Sequence, residues 1–402
     1  MTPAPFFSIP SPYAPIASSN TSLSWTLACS HCSATQDASG HPTVCPACGE
    51  PWLVRLHTHP ASDLRETLHT RPWTMWRYRE WLPLADDEEP ITLGEGGTPL
   101  LRLPSVEAAL GIETVLLKDE SQNPCGSFKA RGIAAAVTRA VHAGTRSLTL
   151  PTAGNAGVAL SAYGARAGRP VRVYAPRRTP ATLLAQIRLF GADLHVIDGH
   201  IGDCGRAARA FADAHHAADL STLREPYRLE GKKTLGLELA EQLGWTLPDC
   251  ILYPTGGGTG LIGMWKAFLE LREAGWVAGK LPRLYSVQAA GCAPVVQAFD
   301  AGAEVTAPWP DPETVASGLR VPAPLGGRLI LRALRETAGA AVAVADADLK
   351  ADAAWLAEHE GLDASPEGGA TLAALRHLVR DGTLQPDESV VLFNTGAGWL
   401  YR

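Results

Sequence analysis

Short apolar runs alternate with alanine-rich runs from residue 114 almost to the end of the chain, and this alternation constrains the fold more than any other feature. The apolar runs have the length and composition of buried strands: residues 114–117, 147–150, 171–174, 194–197, 250–253, 284–288, 341–344 and 390–393. The runs between them have the length and composition of helices: residues 133–143, 158–167, 182–190 and 235–243. We therefore predict an α/β protein with mainly parallel sheets, in which ligands bind beyond the carboxyl ends of the strands.

The loop after the strand at 147–150 has the composition of an anion-binding turn. It reads Pro-Thr-Ala-Gly-Asn-Ala-Gly and leads into a predicted helix. Backbone N–H groups at a helix N-terminus bind anions when small side chains leave them accessible, and a carboxylate suits such a site. The candidate binding residues are Thr152, Ala153, Gly154 and Asn155. The alternative is an ordinary strand-to-helix turn.

The loop after the strand at 250–253 contains three consecutive glycines and leads into another helix. Its free N–H groups can surround a phosphate, and the candidate residues are Gly256, Gly257, Gly258, Thr259 and Gly260. The same loop matches the dinucleotide fingerprint G-x-G-x-x-G. That fingerprint requires an acidic residue at the end of the next strand, where this chain has Gln288. A dinucleotide site is therefore the less favoured interpretation, and we predict a site for a single phosphate.

The last predicted strand, at 390–393, leads into Asn-Thr-Gly-Ala-Gly. Thr395, flanked by glycine at a strand end, offers a neutral hydroxyl to a ligand. The alternative is a closing turn with no ligand.

Lys129 occupies an unfavourable position at the start of a predicted helix. Ser127 is the predicted N-cap, which places Lys129 and Arg131 in the first helical turn. The helix dipole disfavours a cation there by roughly 0.3–1 kcal/mol. A lysine that forms a Schiff base with an aldehyde cofactor is no longer a free ammonium and escapes that cost. The alternative is that both side chains extend to water and have no function.

Two Cys-x-x-Cys pairs lie near the N-terminus, with twelve residues between them. Four thiolates at this spacing can close a tetrahedral zinc site, and the predicted ligands are Cys29, Cys32, Cys45 and Cys48. Because four cysteines saturate the ion, His31 and His41 are predicted not to be ligands. Redox pairs or unrelated thiols are the alternatives.

The rest of the chain excludes several classes of function. The formal net charge of −6, without a run of basic residues, argues against nucleic-acid binding. The aromatic residues of segment 63–83 could stack on bases, but a helix that packs them onto a neighbouring lobe is the favoured interpretation. No apolar run reaches membrane-spanning length, and residues 1–20 lack the pattern of a secretion signal. We therefore expect a cytoplasmic protein.

These motifs together resemble the pyridoxal-phosphate enzymes of fold type II, and among them the threonine synthases. The most specific pieces are Leu-Gly-Glu-Gly-Gly-Thr-Pro-Leu at 93–100, Asn-Pro-Cys-Gly-Ser-Phe-Lys at 123–129, and Pro-Tyr-Arg-Leu-Glu-Gly-Lys-Lys-Thr at 226–234. The resemblance implies two open, mainly parallel sheets flanked by helices, plus a small N-terminal zinc ribbon. It also implies conversion of O-phosphohomoserine and water to threonine and phosphate.

The resemblance assigns roles to the candidate residues. Lys129 would form the Schiff base and move protons at Cα and Cβ, and residues 256–260 would hold the cofactor phosphate. Asn155 would contact the 3-oxygen of the ring, and Thr395 would face the ring nitrogen. Residues 152–154 would receive the substrate carboxylate. Arg228 is the candidate ligand of the substrate phosphate, because a guanidinium can bind it bidentately.

Two residues depart from the family pattern. Ala130 stands where the lysine motif continues with aspartate, and Glu225 stands where the family often has asparagine. A carboxylate beside a pocket for a phosphate dianion costs on the order of 1–4 kcal/mol. These departures motivate an alternative substrate, a serine- or threonine-like amino acid that undergoes β-elimination or β-replacement. An inactive cofactor-fold protein or a zinc-ribbon binding protein is the alternative from another class.

The predicted domain organisation follows the same resemblance. Residues 1–20 form a loosely ordered leader, and residues 21–60 form the zinc ribbon. Residues 61–145 and 235–402 form a larger cofactor-binding lobe, and residues 146–234 form a smaller, mobile lobe. We expect a homodimer that acts on a small amino-acid substrate and binds neither nucleic acid nor membranes.

Overall fold

A computed structural model describes residues 23–402 of the chain. The predicted leader, residues 1–20, lies outside the described residues. Within them the chain forms thirteen strands: β1 (Trp25–Cys29), β2 (Thr35–Asp37), β3 (Trp52–Leu56), β4 (Leu100–Arg102), β5 (Thr114–Asp119), β6 (Leu148–Pro151), β7 (Val171–Pro176), β8 (Asp193–Ile197), β9 (Ala218–Asp219), β10 (Cys250–Pro254), β11 (Arg283–Ala289), β12 (Ala340–Val344) and β13 (Ser389–Asn394). Every strand predicted from residue 114 onward is present.

Twelve α-helices connect and cover these strands in the described part of the chain: α1 (Leu64–Thr67), α2 (Pro104–Leu110), α3 (Lys129–His142), α4 (Asn155–Arg166), α5 (Ala181–Leu189), α6 (Ile201–His215), α7 (Tyr227–Gln242), α8 (Thr259–Glu273), α9 (Pro294–Asp300), α10 (Gly327–Glu336), α11 (Asp346–Glu360) and α12 (Pro366–Arg380). None of the helices between residues 23 and 402 has the length and apolar content needed to cross a membrane.

The N-terminal sheet has the strand order β2-β1-β3, with antiparallel pairs. Its apolar face is not exposed, because Trp25 and Val54 share one core cluster with Ile133 and Val137 of α3. At roughly 25 cal/mol per Å² of buried apolar surface, this contact fixes the small sheet onto the helix that begins with Lys129.

The larger sheet has the strand order β12-β11-β10-β13-β5-β4. All its pairs are parallel except β4 with β5, which is antiparallel at the edge. Successive side chains point to opposite faces, so Ile251 and Val391 pack in one core while Leu252 and Leu392 pack in another. Both faces are covered by helices, which explains why these strands have continuous apolar sequences.

The smaller sheet has the order β8-β7-β6-β9, and all its pairs are parallel. Its central strand β6 buries Leu148 and Leu150 against Val158 of α4. Two mainly parallel sheets flanked by helices, together with a small N-terminal sheet, confirm the predicted fold class.

Segment 63–83 differs from its predicted single helix. It forms the short helix α1 and, after Pro72, a 3-10 helix at Met75–Trp81. Arg71 has ψ 151°, the extended conformation that a following proline favours, so the helix cannot continue through it. The aromatic packing occurs as predicted, because Tyr78 and Trp81 are buried in the same core as Trp276.

Candidate active site

The connection from β5 to α3 holds Lys129 against the C-terminal glycine turn. Cys125 and Gly126 have φ values of 66° and 69°, which turn the chain sharply after β5. Ser127 is extended, and the Phe128 N–H then donates to the Thr395 carbonyl at 3.1 Å. The predicted N-cap is wrong: Phe128 occupies that position, since the backbone of Ser127 pairs with Gly396 instead.

A cavity of about 500 Å³ lies where loops from the two parallel sheets meet. Its wall includes the segments that follow β5, β6, β10 and β13. It therefore brings together every residue predicted to bind cofactor or substrate: Lys129, Thr152, Ala153, Gly154, Asn155, Arg228, Gly256, Gly257, Gly258, Thr259, Gly260 and Thr395.

The surroundings of Lys129 favour an uncharged, nucleophilic amine. Burial in the cavity wall and the nearby Arg228 guanidinium lower its pKa from 10.5 to about 7, against a smaller opposing effect of Glu367. Its Nζ lies 4.3 Å from the ring centre of Phe128, and the Nζ of Lys232 lies 4.2 Å from the same ring. Near neutral pH a large fraction of Lys129 is therefore uncharged, which removes the predicted helix-dipole cost and leaves a lone pair to attack an aldehyde.

Ala130, the first departure from the family pattern, faces away from this cavity. It is fully buried in a core cluster that includes Ile133 and Ala134. An acidic side chain at this position would require a partner within that apolar core.

The glycine loop forms a cradle between β10 and α8. A Cβ on Gly256 would lie 2.1 Å from the Gly318 carbonyl, and a Cβ on Gly258 would lie 2.4 Å from Ile330. Gly258 also has φ 77°, in the left-handed region that favours glycine. No side chain fits at these positions, so the N–H groups that start the 15-residue helix α8 stay accessible from the cavity, as a bound phosphate requires. The residues present thus fit the phosphate of the implied cofactor.

The loop after β6 is held by its own threonine. The Thr152 hydroxyl accepts the N–H groups of Gly154 and Gly157, each at 2.9 Å. Gly154 has φ 139°, and α4 begins at the next residue. The Asn155 Oδ1 is buried and has no hydrogen-bond partner in the described chain, so it marks a polar position that a ligand can satisfy.

Four further arginines line the same cavity, and the sequence assigned no role to any of them. Arg228 lines the same wall and is 2% exposed. Its Nη1 donates to the Leu220 carbonyl at 2.7 Å, whereas its Nε has no partner among residues 23–402. The additional cations are Arg206, Arg209, Arg224 and Arg320. Glu367 is the only carboxylate among the described residues of this wall. The cavity is therefore strongly electropositive.

Arg209 lies close to Arg224. Burial lowers the pKa of Arg209 most, and the positive charge of Arg224 lowers it further. Neither forms an ion pair or a side-chain hydrogen bond with another described residue. The Asp219 carboxylate acts electrostatically on both, without an ion pair to either, so the two arginines leave room for a further anion between them. Arg206 and Arg209 are three residues apart on α6 and so share a helix face, a spacing that could have identified them.

Glu225, the second departure, does not line this cavity, contrary to our expectation. Its carboxylate accepts the N–H groups of Tyr227 at 2.7 Å and Arg228 at 3.1 Å, and so caps α7. It faces a second cavity of about 340 Å³ beside the N-terminal sheet. Burial raises its pKa to about 7, although Arg228 and the two N–H groups act in the opposite direction. The repulsion that Glu225 was predicted to impose on a bound phosphate is therefore weakened.

We expect Glu225→Gln to stabilise the protein at pH 8 and to have no effect at pH 5. The pKa of Glu225 is raised on folding, so its contribution is fully present below about pH 4.5 and is lost as the pH rises through about 7. Glutamine mimics the protonated form and should gain up to about 3 kcal/mol at pH 8. Urea unfolding at both pH values measures the difference. Glu358→Gln, on the exposed face of α11, is the control, and equal effects at the two pH values would contradict the prediction.

The four N-terminal cysteines form one cluster. Their Sγ atoms all lie within 4.8 Å of one another, with Cys29 to Cys48 at 3.4 Å and Cys32 to Cys45 at 3.7 Å. Four sulfurs about 2.3 Å from a central ion in a tetrahedron would be about 3.8 Å apart, so the geometry fits zinc. His41 lies elsewhere, with its Nε2 2.6 Å from the Thr145 hydroxyl.

One cavity between the two mainly parallel sheets contains a lysine, a glycine cradle for one phosphate and a neutral threonine hydroxyl. This combination defines a pyridoxal-phosphate-dependent enzyme of fold type II. The family model described as pyridoxal-phosphate dependent enzyme matches residues 91–396. The structure is similar to that of maize serine racemase, with a TM-score of 0.65 at 21% identity, over 75% of this chain and 88% of that one.

Two curated relatives show to which family of pyridoxal-phosphate-dependent enzymes the chain belongs. The chain is 37% identical to the threonine synthase of Methanosarcina acetivorans, over 82% of this chain and 81% of that protein. It is 35% identical to the threonine synthase of Methanocaldococcus jannaschii, over 83% of this chain and 82% of that protein. The chain belongs to the threonine synthase family of pyridoxal-phosphate-dependent enzymes, which confirms the predicted resemblance.

Proposed function

We propose that this enzyme is a lyase that converts O-phosphohomoserine and water to L-threonine and phosphate. The observation that carries the proposal is the group of five arginines, Arg206, Arg209, Arg224, Arg228 and Arg320, in the wall of the cavity that holds Lys129. Arg206 is paired with Asp203, but a substrate without a phosphate, such as serine or threonine, would supply no second anionic group to the other four arginines beside the glycine cradle. The cavity therefore favours a phosphorylated amino acid.

The cofactor would be held by residues of four strand-end loops. Residues 256–260 would bind its phosphate, Lys129 would bind its aldehyde carbon, Asn155 its ring oxygen, and Thr395 its ring nitrogen. A bound pyridoxal phosphate supplies an electron sink for carbanions that form next to it. Because a threonine hydroxyl carries no charge, the ring nitrogen would stay largely unprotonated.

The substrate would lie with its two anionic ends on different walls. Residues 152–154 line the cavity at the start of α4, and the Ala153 N–H suits the α-carboxylate. The N–H groups of Thr152 and Gly154 donate to the Tyr174 carbonyl and the Thr152 hydroxyl instead. Arg209 and Arg224, without partners among the described residues, suit the phosphate together with Arg228. Binding at both ends would orient the Cα–Cβ–Cγ atoms beside Lys129.

Lys129 would then transfer protons as a general base and acid. A general base works best when its pKa lies near the operating pH, and burial with Arg228 brings the pKa of Lys129 to about 7. Its amine would remove the Cα proton, move protons at Cβ, and assist the addition of water at Cβ after the phosphate has left. We propose that residues 146–234, which carry the smaller sheet, close over the substrate to exclude water until that step.

The test compares O-phosphohomoserine, O-phosphoserine, serine and threonine with one preparation of the protein. We expect phosphate and threonine in equal amounts from O-phosphohomoserine, and at most slow ammonia release from serine or threonine. Faster turnover of serine derivatives, or phosphate release without threonine formation, would instead support the β-elimination or β-replacement alternative.

Arg224→Ala should raise KM for O-phosphohomoserine by about 10- to 100-fold, the value of one charge-assisted hydrogen bond to a phosphate. Steady-state kinetics with Arg224→Ala and Arg209→Ala measure this effect. Arg380→Ala, at the exposed end of α12, is the matched control. An unchanged KM in both cavity variants would show that Arg209 and Arg224 do not bind the substrate.

We also propose that the four cysteines bind one structural zinc ion. Elemental analysis should find one zinc per chain, and Cys48→Ser should lower both the zinc content and the melting temperature, because the ribbon packs against α3. His31→Ala, at an exposed position beside the cluster, should keep its zinc. Full zinc content in Cys48→Ser would contradict a four-cysteine site.

A further inference from the structure

The last five residues of the chain, 398–402, run along the cavity and reach both sheets. The Gly398 N–H donates to the Asp363 carbonyl at 2.9 Å, and the Arg402 guanidinium pairs with the Asp363 carboxylate at 2.7 Å. Leu400 is fully buried and lies close to Gly126, where an added Cβ would contact it at 3.1 Å. These contacts fix the segment on the side of the larger sheet.

The same segment also binds elements of the smaller sheet. The Tyr401 hydroxyl accepts a hydrogen bond from Asn155 Nδ2 at 3.0 Å, and Asn155 is the first residue of α4. The Arg402 carbonyl accepts the Thr182 hydroxyl of α5 at 2.8 Å. The end of the chain thus bridges the two sheets at the cavity, and Tyr401 lines its wall.

Tyr401 lies in a polar cluster to which the proposed reaction assigns no role. Burial and the neighbouring Glu367 raise the pKa of Tyr401 well above its ordinary value, so the phenol keeps its proton. Glu367 is 3% exposed, and its Oε1 accepts the Gly318 N–H at 2.7 Å. Its Oε2 is buried without a partner among residues 23–402, and burial raises its pKa. The cluster thus contains a neutral hydroxyl fixed beside the amide of Asn155.

We propose that Tyr401 is a positioning residue that orients the Asn155 amide for the cofactor, so that the C-terminal segment sets cofactor affinity. The inference rests on the part of the proposed function that assigns Asn155 to the ring oxygen. An amide nitrogen carries two hydrogens. One is directed to the Tyr401 hydroxyl, which fixes the plane of the amide and leaves the second for the ligand. Without Tyr401 the amide rotates freely, and binding must restrict that rotation.

The experiment measures cofactor retention by the purified holoenzyme without any amino-acid substrate. Wild type, Tyr401→Phe, Asn155→Ala and the double variant are dialysed against decreasing concentrations of pyridoxal phosphate, and the visible absorption band reports the bound fraction. We expect Tyr401→Phe to weaken binding about fivefold, the net effect of one hydrogen bond, and to shift the band. In the Asn155→Ala background the same change should have no further effect.

Tyr285→Phe is the matched control, because it removes a hydroxyl that accepts a hydrogen bond from Arg283 at 3.0 Å, away from the cavity. It should leave cofactor binding unchanged. Equal affinity and spectrum for Tyr401→Phe and wild type would overturn the proposal, as would the same loss in both backgrounds. If Asn155→Ala binds as tightly as wild type, the assignment of Asn155 fails and the role of Tyr401 fails with it. The substrate assays are independent of all these outcomes.

Discussion

Lys129→Ala will lower turnover of O-phosphohomoserine by about 10⁴-fold and will remove the visible absorption band of the holoenzyme. The amine is proposed both to hold the cofactor and to transfer protons, and loss of a positioned general base alone costs 10²–10⁴-fold in rate. The fold should tolerate the change, because Lys129 lies half-buried in a cavity wall and forms no ion pair with the rest of the described chain. Absorption spectra and kcat of the purified variant test both expectations.

The control for this change is Lys350→Ala, which removes an exposed lysine on α11 and should have no effect on rate or spectrum. In wild type, borohydride reduction followed by peptide mapping should place the cofactor on Lys129. A variant that keeps the band and more than one-hundredth of the activity would show that another amine performs the chemistry, and Lys232, whose Nζ lies over the same Phe128 ring, is the candidate.

Glu238→Ala will destabilise the protein by about 3–5 kcal/mol, because it leaves the buried Lys118 without its ion-pair partner and Arg131 with Glu120 alone. Glu238 is 1% exposed and accepts from Lys118 Nζ at 2.5 Å and from Arg131 Nη1 at 3.0 Å. It also accepts the N–H groups of Gly97 at 2.8 Å and Thr98 at 2.9 Å. Burial alone would raise the pKa of Glu238, but Arg131 and Lys118 hold it well below its usual range.

Urea and thermal unfolding measure this loss. Because the pKa of Glu238 is lowered on folding, its contribution is present above about pH 5 and disappears as the pH falls through its folded-state pKa. Glu238→Gln keeps the volume and should lose a smaller part of the stability. Glu336→Ala is the surface control, since it breaks only the exposed i,i+4 pair with Arg332 and should cost less than about 0.5 kcal/mol. A loss below about 1 kcal/mol for Glu238→Ala would contradict the prediction.

The same network explains the second cation at the start of α3. Arg131 is fully buried, and its guanidinium donates to Glu120 at 2.7 Å as well as to Glu238. The sequence shows only that Arg131 lies in an unfavourable first turn. The reason is a pair of carboxylates, one of them 107 residues away in the chain.

The sequence alone determined the elements and the loops that carry the candidate site. Strands, helices, the glycine loop and the cysteine spacing are local patterns, because each depends on residues within about ten positions of one another. Parallel strands of one sheet end at the same edge, so Lys129, Gly256 and Thr395, which follow β5, β10 and β13, could be expected close together. Asn155 follows β6 of the smaller sheet, and only the family resemblance predicted that it joins them. The N-cap error at Ser127 is not local, since a backbone bridge to Gly396, far away in the chain, displaced it.

Only the tertiary structure decided what surrounds that site. The arginines of α6, the orientation of Glu225 into a second cavity, and the contact of Tyr401 with Asn155 all depend on which helix faces which wall. Asn155 and Tyr401 are 246 residues apart, and no periodicity in a sequence encodes a contact at that separation. Charge and hydrogen bonding act through space. The candidate cofactor-binding loops and Arg228 could therefore be recognised from sequence, whereas the other groups proposed to select the substrate became visible only in the folded chain.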